Sequence, residues 1–303
     1  MTNKERYRKF CATHAVVPVF SNPFWLDAVA ENWDVALVSE SESESESESE
    51  SENESNIIAA LPYCWKGNLF TKRIYLPDVS FYQSVLFFTD ADKNRKQILT
   101  EQLLQQLPKT VKSYFKFLPE HAALSLEKSG FEKEAYETYT IQKNLELDLS
   151  SNHKRNVQKA TKLKYTIKES KNLEASFTLL TSTFARQNIK PKITFTDFQK
   201  LNLLLKKQSC KNTIDCVDAQ HNLLASAFIA EDTKSVYYLF GGYNTEFKNS
   251  GAMTFLLHHL IKDAQQRDLE FNFCGSSKKS IATYFEGFGA QKTEIAIWKK
   301  SIL

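Results

Sequence analysis

The sequence has few cysteines, and none of them falls in a metal-binding or disulfide pattern. Five cysteines are spread over 303 residues, with no Cys-x-x-Cys pair and no histidine at ligand spacing. This distribution argues against a zinc site and against a disulfide framework. We therefore predict no metal site, and we expect most of these thiols to be small buried side chains.

The chain also lacks long apolar runs. No stretch approaches the roughly 18 apolar residues that a membrane helix needs. The charged segment 1–9 is not followed by the apolar core of a signal peptide. These absences predict a cytoplasmic protein with no membrane insertion. A length of 303 residues is enough for two domains of ordinary size, each with its own core.

Much of the negative charge is concentrated in one tract. Seven Ser-Glu pairs fill residues 39–52 and Glu54 follows, so the rest of the chain carries 39 basic against 28 acidic residues, a net charge of +11. The tract cannot bury a core and repels itself, so we expect a disordered insertion over 39–56. The basic remainder suits an anionic ligand such as a nucleotide phosphate or tRNA, although a generally basic surface explains it equally well.

Strand and helix patterns alternate along the chain, and their order is repeated. The segments 114–117 and 126–130 resemble 270–273 and 285–289, at an offset near 157 residues. Similarity at half the chain length indicates a duplicated domain, with a chance match of two patterns as the alternative. We therefore predict an α/β protein with a domain boundary near residue 150. The expected helices cover 22–31, 95–107, 121–129, 173–184, 195–206, 252–266 and 280–286.

The segment 237–264 carries the clearest functional signal. It reads as an apolar strand, a polar loop with glycines, and an amphipathic helix that opens on Lys248-Asn-Ser-Gly-Ala252. Unpartnered N–H groups and the positive end of the dipole make such a helix start an anion site. Gly251 would let a phosphate approach the backbone, and Lys248 would add a charge. A plain strand–helix turn is an equally good interpretation.

A basic stretch at 153–162 precedes this segment in the second half of the chain. Its lysines and arginine surround an apolar stripe of Val157, Ala160 and Leu163. The stretch could form the positive edge of a ligand cleft. Most charge runs are instead solvated helix faces, and that alternative stays open.

Together these pieces resemble the GNAT acyltransferase superfamily, and within it the Fem-like proteins built of two tandem GNAT units. The resemblance covers nearly the whole chain except the Ser-Glu tract. It implies a GNAT-like unit at 1–150 and a GNAT-like acyltransferase unit at 151–303, each a mixed central sheet flanked by helices. The segments that carry it are Arg155-Asn-Val-Gln-Lys-Ala160, 237–242, Lys248-Asn-Ser-Gly-Ala252, Phe271-Asn-Phe-Cys-Gly-Ser276 and Tyr284-Phe-Glu-Gly-Phe-Gly-Ala290.

The resemblance also implies where an acyl donor binds. In that superfamily two parallel strands splay apart, acyl-CoA enters the gap, and its pyrophosphate rests on the next helix start. The family's Gln/Arg-x-x-Gly-x-Gly/Ala pattern is matched only in part, because Lys248 and Met253 occupy its first and last positions. The implied donor-binding residues are Phe240, Gly241, Gly242, Lys248, Asn249, Ser250, Gly251 and Ala252.

Proton carriers are less clearly marked. An amine that attacks a thioester or ester must lose a proton, and the leaving group must gain one. Many Fem-like relatives look like Asp-Phe-Glu-Gly-Ser where this chain has Asn272-Phe-Cys-Gly-Ser276, so both acidic positions are absent here. The candidates that remain are Glu246, Tyr284 and Glu286, with solvated charges and half-buried packing as the alternative roles.

The resemblance therefore implies an N-acyltransferase that moves an acyl group, with acetyl as the first choice, from acyl-CoA to a small-molecule or peptide amine. Two alternatives keep the same fold. One is a Fem-type aminoacyltransferase that takes its donor from tRNA and acts on a cell-wall precursor. The other is a non-catalytic ligand-binding protein, which the Asn272 and Cys274 replacements favour.

Overall fold

The computed structural model describes residues 1–14, 16–40, 56–186, 188–191, 193–275 and 278–302. They form two compact units, one of Met1–Tyr136 with Glu294–Leu303 and one of Glu137–Thr293. Disorder is predicted for the Ser-Glu tract over 39–56, and residues 41–55 of that range lie outside the described residues. At Ser39 the prediction is wrong, because Ser39 is the last residue of the strand Asn32–Ser39. On either side of residues 41–55, the Glu40 backbone N–H donates to the Asn56 carbonyl over 3.0 Å.

Helices and strands alternate through both units. The helices are α1 Asn3–Thr13, α2 Pro23–Val29, α3 Lys93–Gln105, α4 Ser151–Lys162, α5 Leu173–Ala185, α6 Phe195–Lys207, α7 Ala252–Gln266 and α8 Lys279–Glu286. The strands are β1 Asn32–Ser39, β2 Ile57–Lys66, β3 Arg73–Tyr75, β4 Leu86–Phe87, β5 Lys112–Lys116, β6 Glu132–Ile141, β7 Thr166–Glu169, β8 Thr213–Val217, β9 Leu223–Glu231, β10 Ser235–Tyr243, β11 Glu270–Asn272 and β12 Gln291–Ser301.

The first unit is built on a mixed sheet. Strands β1, β2 and β3 pair antiparallel in that order, β4 pairs with β2, β3 runs parallel to β5, and β12 pairs antiparallel with β5. The apolar face of α3, with Leu99 and Leu103, packs with Leu61 of β2 and Phe115 of β5. Leu99 and Leu103 are four residues apart, so they share one helix face, which explains why this helix covers the sheet.

The second unit has a longer mixed sheet in the order β6, β11, β10, β9, β8, β7. Only the pairing of β10 with β11 is parallel. Helix α7 buries Leu256, Leu257, Leu260, Ile261 and Ala264, which recur at helical spacing and form one apolar face. This face packs into the core of the unit and so fixes where the helix begins.

The compact units divide elsewhere than we expected from the sequence. The expected boundary lies near residue 150, whereas the units meet in the chain between Tyr136 and Glu137, inside β6. The last strand also belongs with the first unit, because Ile297 of β12 pairs with Lys116 of β5. Because the boundary lies inside a continuous strand, no change in composition marks it in the sequence. That the units are two copies of one domain type stays a prediction.

The helix predicted over 121–129 is wrong. The chain there forms only short 3₁₀ turns at Pro119–His121 and Glu127–Ser129. The side chain of Gln97 on α3 accepts from the Ser125 backbone N–H (3.0 Å) and donates to the Ser125 carbonyl (2.8 Å). Tertiary hydrogen bonds thus take the backbone groups that a helix would have used.

Candidate functional site

Two parallel strands of the second unit separate after a short pairing. β10 and β11 pair only from Ser235↔Glu270 to Tyr237↔Asn272, whereas β10 continues to Tyr243. The register between β10 and its other neighbour β9 shifts between Tyr238 and Phe240. Such a bulge bends a strand and increases its twist. The bend therefore lies where the pairing with β11 stops, and β10 leaves β11 from that point.

The loop after β10 leads to the start of α7. Gly251 is the N-cap residue, with φ of +76°, and a Cβ there would lie 2.9 Å from the Asn156 carbonyl oxygen. The Ser250 hydroxyl accepts from the Ala252 N–H at 3.2 Å. The N–H groups of Met253 and Thr254 donate to no described residue. Free N–H groups at a helix start are the backbone groups that an anion site uses, and the anion site itself stays a prediction.

Helix α4 packs beside this helix start and brings positive charge to it. Lys159 donates from Nζ to the Asn249 carbonyl oxygen at 2.8 Å, and Asn156 contacts the Gly251 backbone. Lys248 of the loop is exposed. The cations of the α4 stretch are exposed, as on a solvated helix face, but the stretch is not remote from the loop. It carries Lys159 to the first turn of α7.

A cluster of aromatic side chains, some buried and some partly buried, packs against the first turn of α7. The Tyr284 hydroxyl of α8 is 3.2 Å from the Thr254 hydroxyl. Burial raises the pKa of Tyr284 and that of Tyr238 above their usual range. A neighbouring tyrosine raises the pKa of each phenol further. The ring of Tyr238 packs with those of Phe273 and Phe285. Both phenols therefore stay protonated at neutral pH and can donate hydrogen bonds.

The glycines of β10 are required by packing. A Cβ at Gly242 would lie 2.0 Å from the Leu179 carbonyl oxygen of α5, and one at Gly241 would lie 2.2 Å from the Tyr238 hydroxyl. The Thr183 hydroxyl donates to the Gly241 carbonyl at 2.9 Å. The Phe240 ring packs with aromatic rings of α5 and β9. A donor-binding role for Phe240, Gly241 and Gly242 stays a prediction beside this structural role.

Asn272 shapes the turn after β11. Its side-chain oxygen accepts from the Thr138 hydroxyl (3.0 Å) and from the Cys274 backbone N–H (2.8 Å). Cys274 has φ of +59° and is 2% exposed. A non-glycine residue in this region is uncommon and carries strain. Asn272 compensates for that strain by holding the Cys274 N–H.

The two candidate carboxylates lie in open positions. Glu246 is in the short 3₁₀ turn Thr245–Phe247, and its backbone N–H donates to the Asn244 side chain. Glu286 is at the end of α8, and both glutamates are exposed. Of the three candidate proton carriers, only Tyr284 is seen in contact with the first turn of α7. The roles of Glu246 and Glu286 stay predictions.

The sequence did not single out His153, which stands at this site. Its ring is 4% exposed, packs with the rings of Tyr284 and Phe288, and lies 2.8 Å from the Ser150 hydroxyl through Nδ1. Nε2 is buried without a hydrogen-bond partner among the described residues. Burial lowers the pKa of His153, so the ring is neutral near pH 7. Its position in the basic stretch was the one available signal.

Arg186 and Tyr243 were also missed. The guanidinium of Arg186 lies 4.6 Å from the centre of the Tyr243 ring, a cation–π contact, and donates to the Thr183 hydroxyl at 2.9 Å. Tyr243 is the last residue of β10. These contacts place a positive side chain at the end of the diverging strand, on the α5 side. An exposed arginine after a helix gives no sequence signal for such a position.

Two kinds of feature are absent from the part of the chain that the structure describes. There, no group of three or more His, Cys, Asp or Glu side chains is arranged to hold a metal ion. In the same part of the chain, no helix combines the length and apolar character needed to cross a membrane.

Comparison with known proteins identifies the fold. Residues 150–284 match the family model of the acetyltransferase (GNAT) domain. No curated protein matches the sequence. The crystal structure of FemX is similar with a TM-score of 0.64 and 12% identity, over 98% of this chain and 96% of that chain.

Two further structures are similar over somewhat less of the chain. The C-terminal domain of a putative lysylphosphatidylglycerol synthetase from Agrobacterium fabrum has a TM-score of 0.54 and 10% identity, over 81% of this chain and 82% of its own. L-PGS from Bacillus licheniformis has a TM-score of 0.52 and 12% identity, over 80% of this chain and 81% of its own.

The diverging strands, the helix start and the family match together define a protein with the fold of the GNAT superfamily. FemX has a similar fold over nearly the whole chain. The predicted fold class is confirmed, and residues 150–284 match the predicted superfamily. At these identities the likeness to solved structures identifies the fold and leaves donor and acceptor open.

Proposed function

We propose that this protein is an N-acyltransferase that moves an acyl group, acetyl as the first choice, from acyl-CoA to a small-molecule or peptide amine. The observation that carries the proposal is the start of α7. Backbone N–H groups without described partners, a glycine N-cap and Lys159 meet there, next to the strand that diverges from β11. This combination suits a pyrophosphate.

The proposed reaction requires groups that bind the donor and groups that transfer protons. The first turn of α7 would hold the donor phosphates, with Lys159 and Lys248 adding positive charge. In the reaction the amine nitrogen bonds to the acyl carbon, the carbon–sulfur bond breaks, and the CoA sulfur takes the electron pair. A base accepts the amine proton, and an acid donates a proton to the sulfur.

Tyr284 is our candidate for the acid. Its pKa is raised by burial, so it carries its proton at neutral pH, and its hydroxyl already touches the α7 turn through Thr254. Glu246 and Glu286 are the candidates for the base. Tyr284→Phe should lower kcat about tenfold to a hundredfold while leaving the Kd of CoA unchanged, because general acid–base catalysis contributes on that order. A fall in CoA affinity alone would instead assign Tyr284 to packing.

A Fem-type aminoacyltransferase that uses aminoacyl-tRNA is the second candidate. The exposed cations of α4, Lys154, Arg155 and Lys162, favour it, because phosphate backbones are bound by such charges. The structures of FemX and of a putative lysylphosphatidylglycerol synthetase share the fold. Binding of tRNA that weakens steeply with salt, in the absence of CoA binding, would select this candidate.

The first experiment is calorimetric titration of CoA and acetyl-CoA into the full chain. The probe is Lys248→Glu and the matched control is Lys262→Glu. Lys262 is exposed on the same helix α7, ten residues beyond Ala252, about 15 Å along the axis. Reversal at Lys248 should weaken CoA binding about tenfold, or about 1.4 kcal/mol, and reversal at Lys262 should leave it unchanged.

Three outcomes would count against the proposal. If neither CoA nor acetyl-CoA binds, the acyl-CoA assignment fails and aminoacyl-tRNA becomes the donor to test. If both reversals weaken CoA binding equally, the effect is one of net charge and the α7 start is not the site. CoA binding without release of thiol from acetyl-CoA with any amine would favour the non-catalytic alternative.

A further inference from the structure

An apolar tip projects from the first unit. The hairpin of β2 and β3 turns through residues 67–71, and its apex is Leu69 and Phe70, which are 83% and 82% exposed. Exposed large side chains that adjoin one another, rather than being scattered singly, indicate an interaction surface. We refer to residues 67–71 as the hairpin tip.

The hairpin tip satisfies much of its own backbone. Gly67 has φ of +95°, and the Asn68 side chain accepts from the N–H groups of Phe70 (3.0 Å) and Thr71 (3.1 Å). The Thr71 hydroxyl accepts from the Asn68 N–H at 3.1 Å. Since these polar groups are already bonded, the tip could leave water at lower cost than an ordinary loop.

Positive charge surrounds this apex. The segment 66–73 contains Lys66, Lys72 and Arg73 and no acidic residue. The ammonium groups of Lys66 and Lys72 lie over the rings of Tyr75 and Trp65, each 4.3 Å from the ring centre. These half-buried aromatic rings therefore lie between the apolar apex and the body of the unit, and each carries a lysine ammonium group over its face.

A neighbouring segment extends the same surface. Val111 donates from its backbone N–H to the Lys72 carbonyl and accepts from the Ile302 N–H, and both side chains are exposed. The segment 109–112 adds Lys109 and Lys112, again without an acidic residue. The surface thus combines four exposed apolar side chains with five cations. No acidic residue interrupts the two segments that supply those cations.

We propose that the hairpin tip docks on anionic phospholipid membranes, with Leu69 and Phe70 entering the headgroup boundary and the surrounding cations binding lipid phosphates. An apolar apex, an aromatic level and a ring of lysine and arginine is the arrangement that suits the bilayer interface. The contact is peripheral.

The test is co-sedimentation of the full chain with vesicles of phosphatidylcholine alone and of phosphatidylcholine with about 30 mol% phosphatidylglycerol. The chain should bind the anionic vesicles and lose that binding between about 0.1 M and about 0.5 M salt. The double variant Leu69→Ser/Phe70→Ser should weaken binding about tenfold or more. Phe70→Trp should retain it, because indole suits the interface.

Leu203→Ser is the matched control, since Leu203 is a 57% exposed leucine on α6 of the other unit. Circular dichroism of each variant keeps a folding defect apart from a binding defect. The proposal is overturned if anionic vesicles do not bind the chain, or if the tip variant and the Leu203 variant bind equally well. It is also overturned if the tip variant binds the vesicles as well as the unchanged chain does but no longer binds another protein, which would make the tip a protein-docking surface.

Discussion

Helix α3 in the first unit and α7 in the second begin in different ways. They start 159 residues apart (252 − 93), close to the offset that predicts duplication. The N-cap of α3 is Asp92, whose carboxylate accepts from the Arg95 N–H at 2.7 Å, whereas the N-cap of α7 is Gly251, which has no side-chain cap. The first helix start is occupied by an internal anion and the second leaves room for an external one.

The comparison indicates that local positive charge alone does not make an anion site. The first turn of α3 holds Lys93, Arg95 and Lys96, more basic residues than the first turn of α7. Yet the Asp92 carboxylate already accepts from the Arg95 N–H and would repel a second anion. We therefore propose that the identity of one capping residue decides between a structural and a binding role.

The largest expected effect comes from giving α7 the cap of α3. Gly251→Asp should weaken CoA binding about a hundredfold, or about 2.7 kcal/mol, because a carboxylate would occupy the helix start and repel the donor phosphates. Calorimetric titration measures the change. Gly251→Asn is the matched control, since it adds a similar side chain at the same positive φ without the charge. If the Asn variant loses as much affinity as the Asp variant, strain rather than charge is responsible.

The reverse change in the first unit should affect stability alone. Asp92→Ala removes the cap of α3 and should lower the free energy of unfolding by about 1 kcal/mol, as measured by urea denaturation. Its Kd for CoA should match that of the unchanged chain within about twofold, since the donor is proposed to bind only in the second unit. Asp92→Asn, which keeps a capping oxygen, should preserve stability. A clear change in CoA affinity on Asp92→Ala would contradict the contrast between the two helices.

The smallest expected effect is a pH dependence of stability that comes from His153 in the second unit. The pKa of His153 is lowered by burial, so between the folded pKa and the usual value of 6.5 the unfolded chain binds more protons. Stability from this group is complete above pH 6.5 and is lost as pH falls below it, by at most about 1.4 kcal/mol per pH unit. The unfolding free energy of His153→Asn, measured by urea denaturation from pH 8 to pH 5, should therefore fall less with acidification than that of the unchanged chain.

The first unit offers the comparison for this pH effect. His121 is also buried and lies 3.1 Å from a serine hydroxyl, that of Ser84, through Nδ1. His121→Asn, measured over the same pH range, therefore tests whether the slope comes from His153 in particular. Equal loss of slope in both variants would show that the acid sensitivity is not specific to the second unit.

Local patterns predicted several elements closely. The predicted helix over 252–266 is confirmed at both ends by α7, because its apolar residues recur at helical spacing and Gly251 stands at its start. Helix α1 was missed although Thr2 and Glu5 form a capping box there. That signal could have been used. The wrong helix over 121–129 shows the converse, since the Gln97 side chain that prevents it is distant in sequence.

Sequence patterns were enough to predict the helix start at Gly251, the basic character of α4 and the likeness to the GNAT superfamily, because each depends on residues close together in the chain. The structure was needed to find that Lys159 reaches the Asn249 carbonyl, that Tyr284 lies against Thr254, and that a Cβ at Gly242 would collide with α5. Such contacts join segments tens of residues apart, and their geometry follows from how the apolar faces of the helices pack on the sheet.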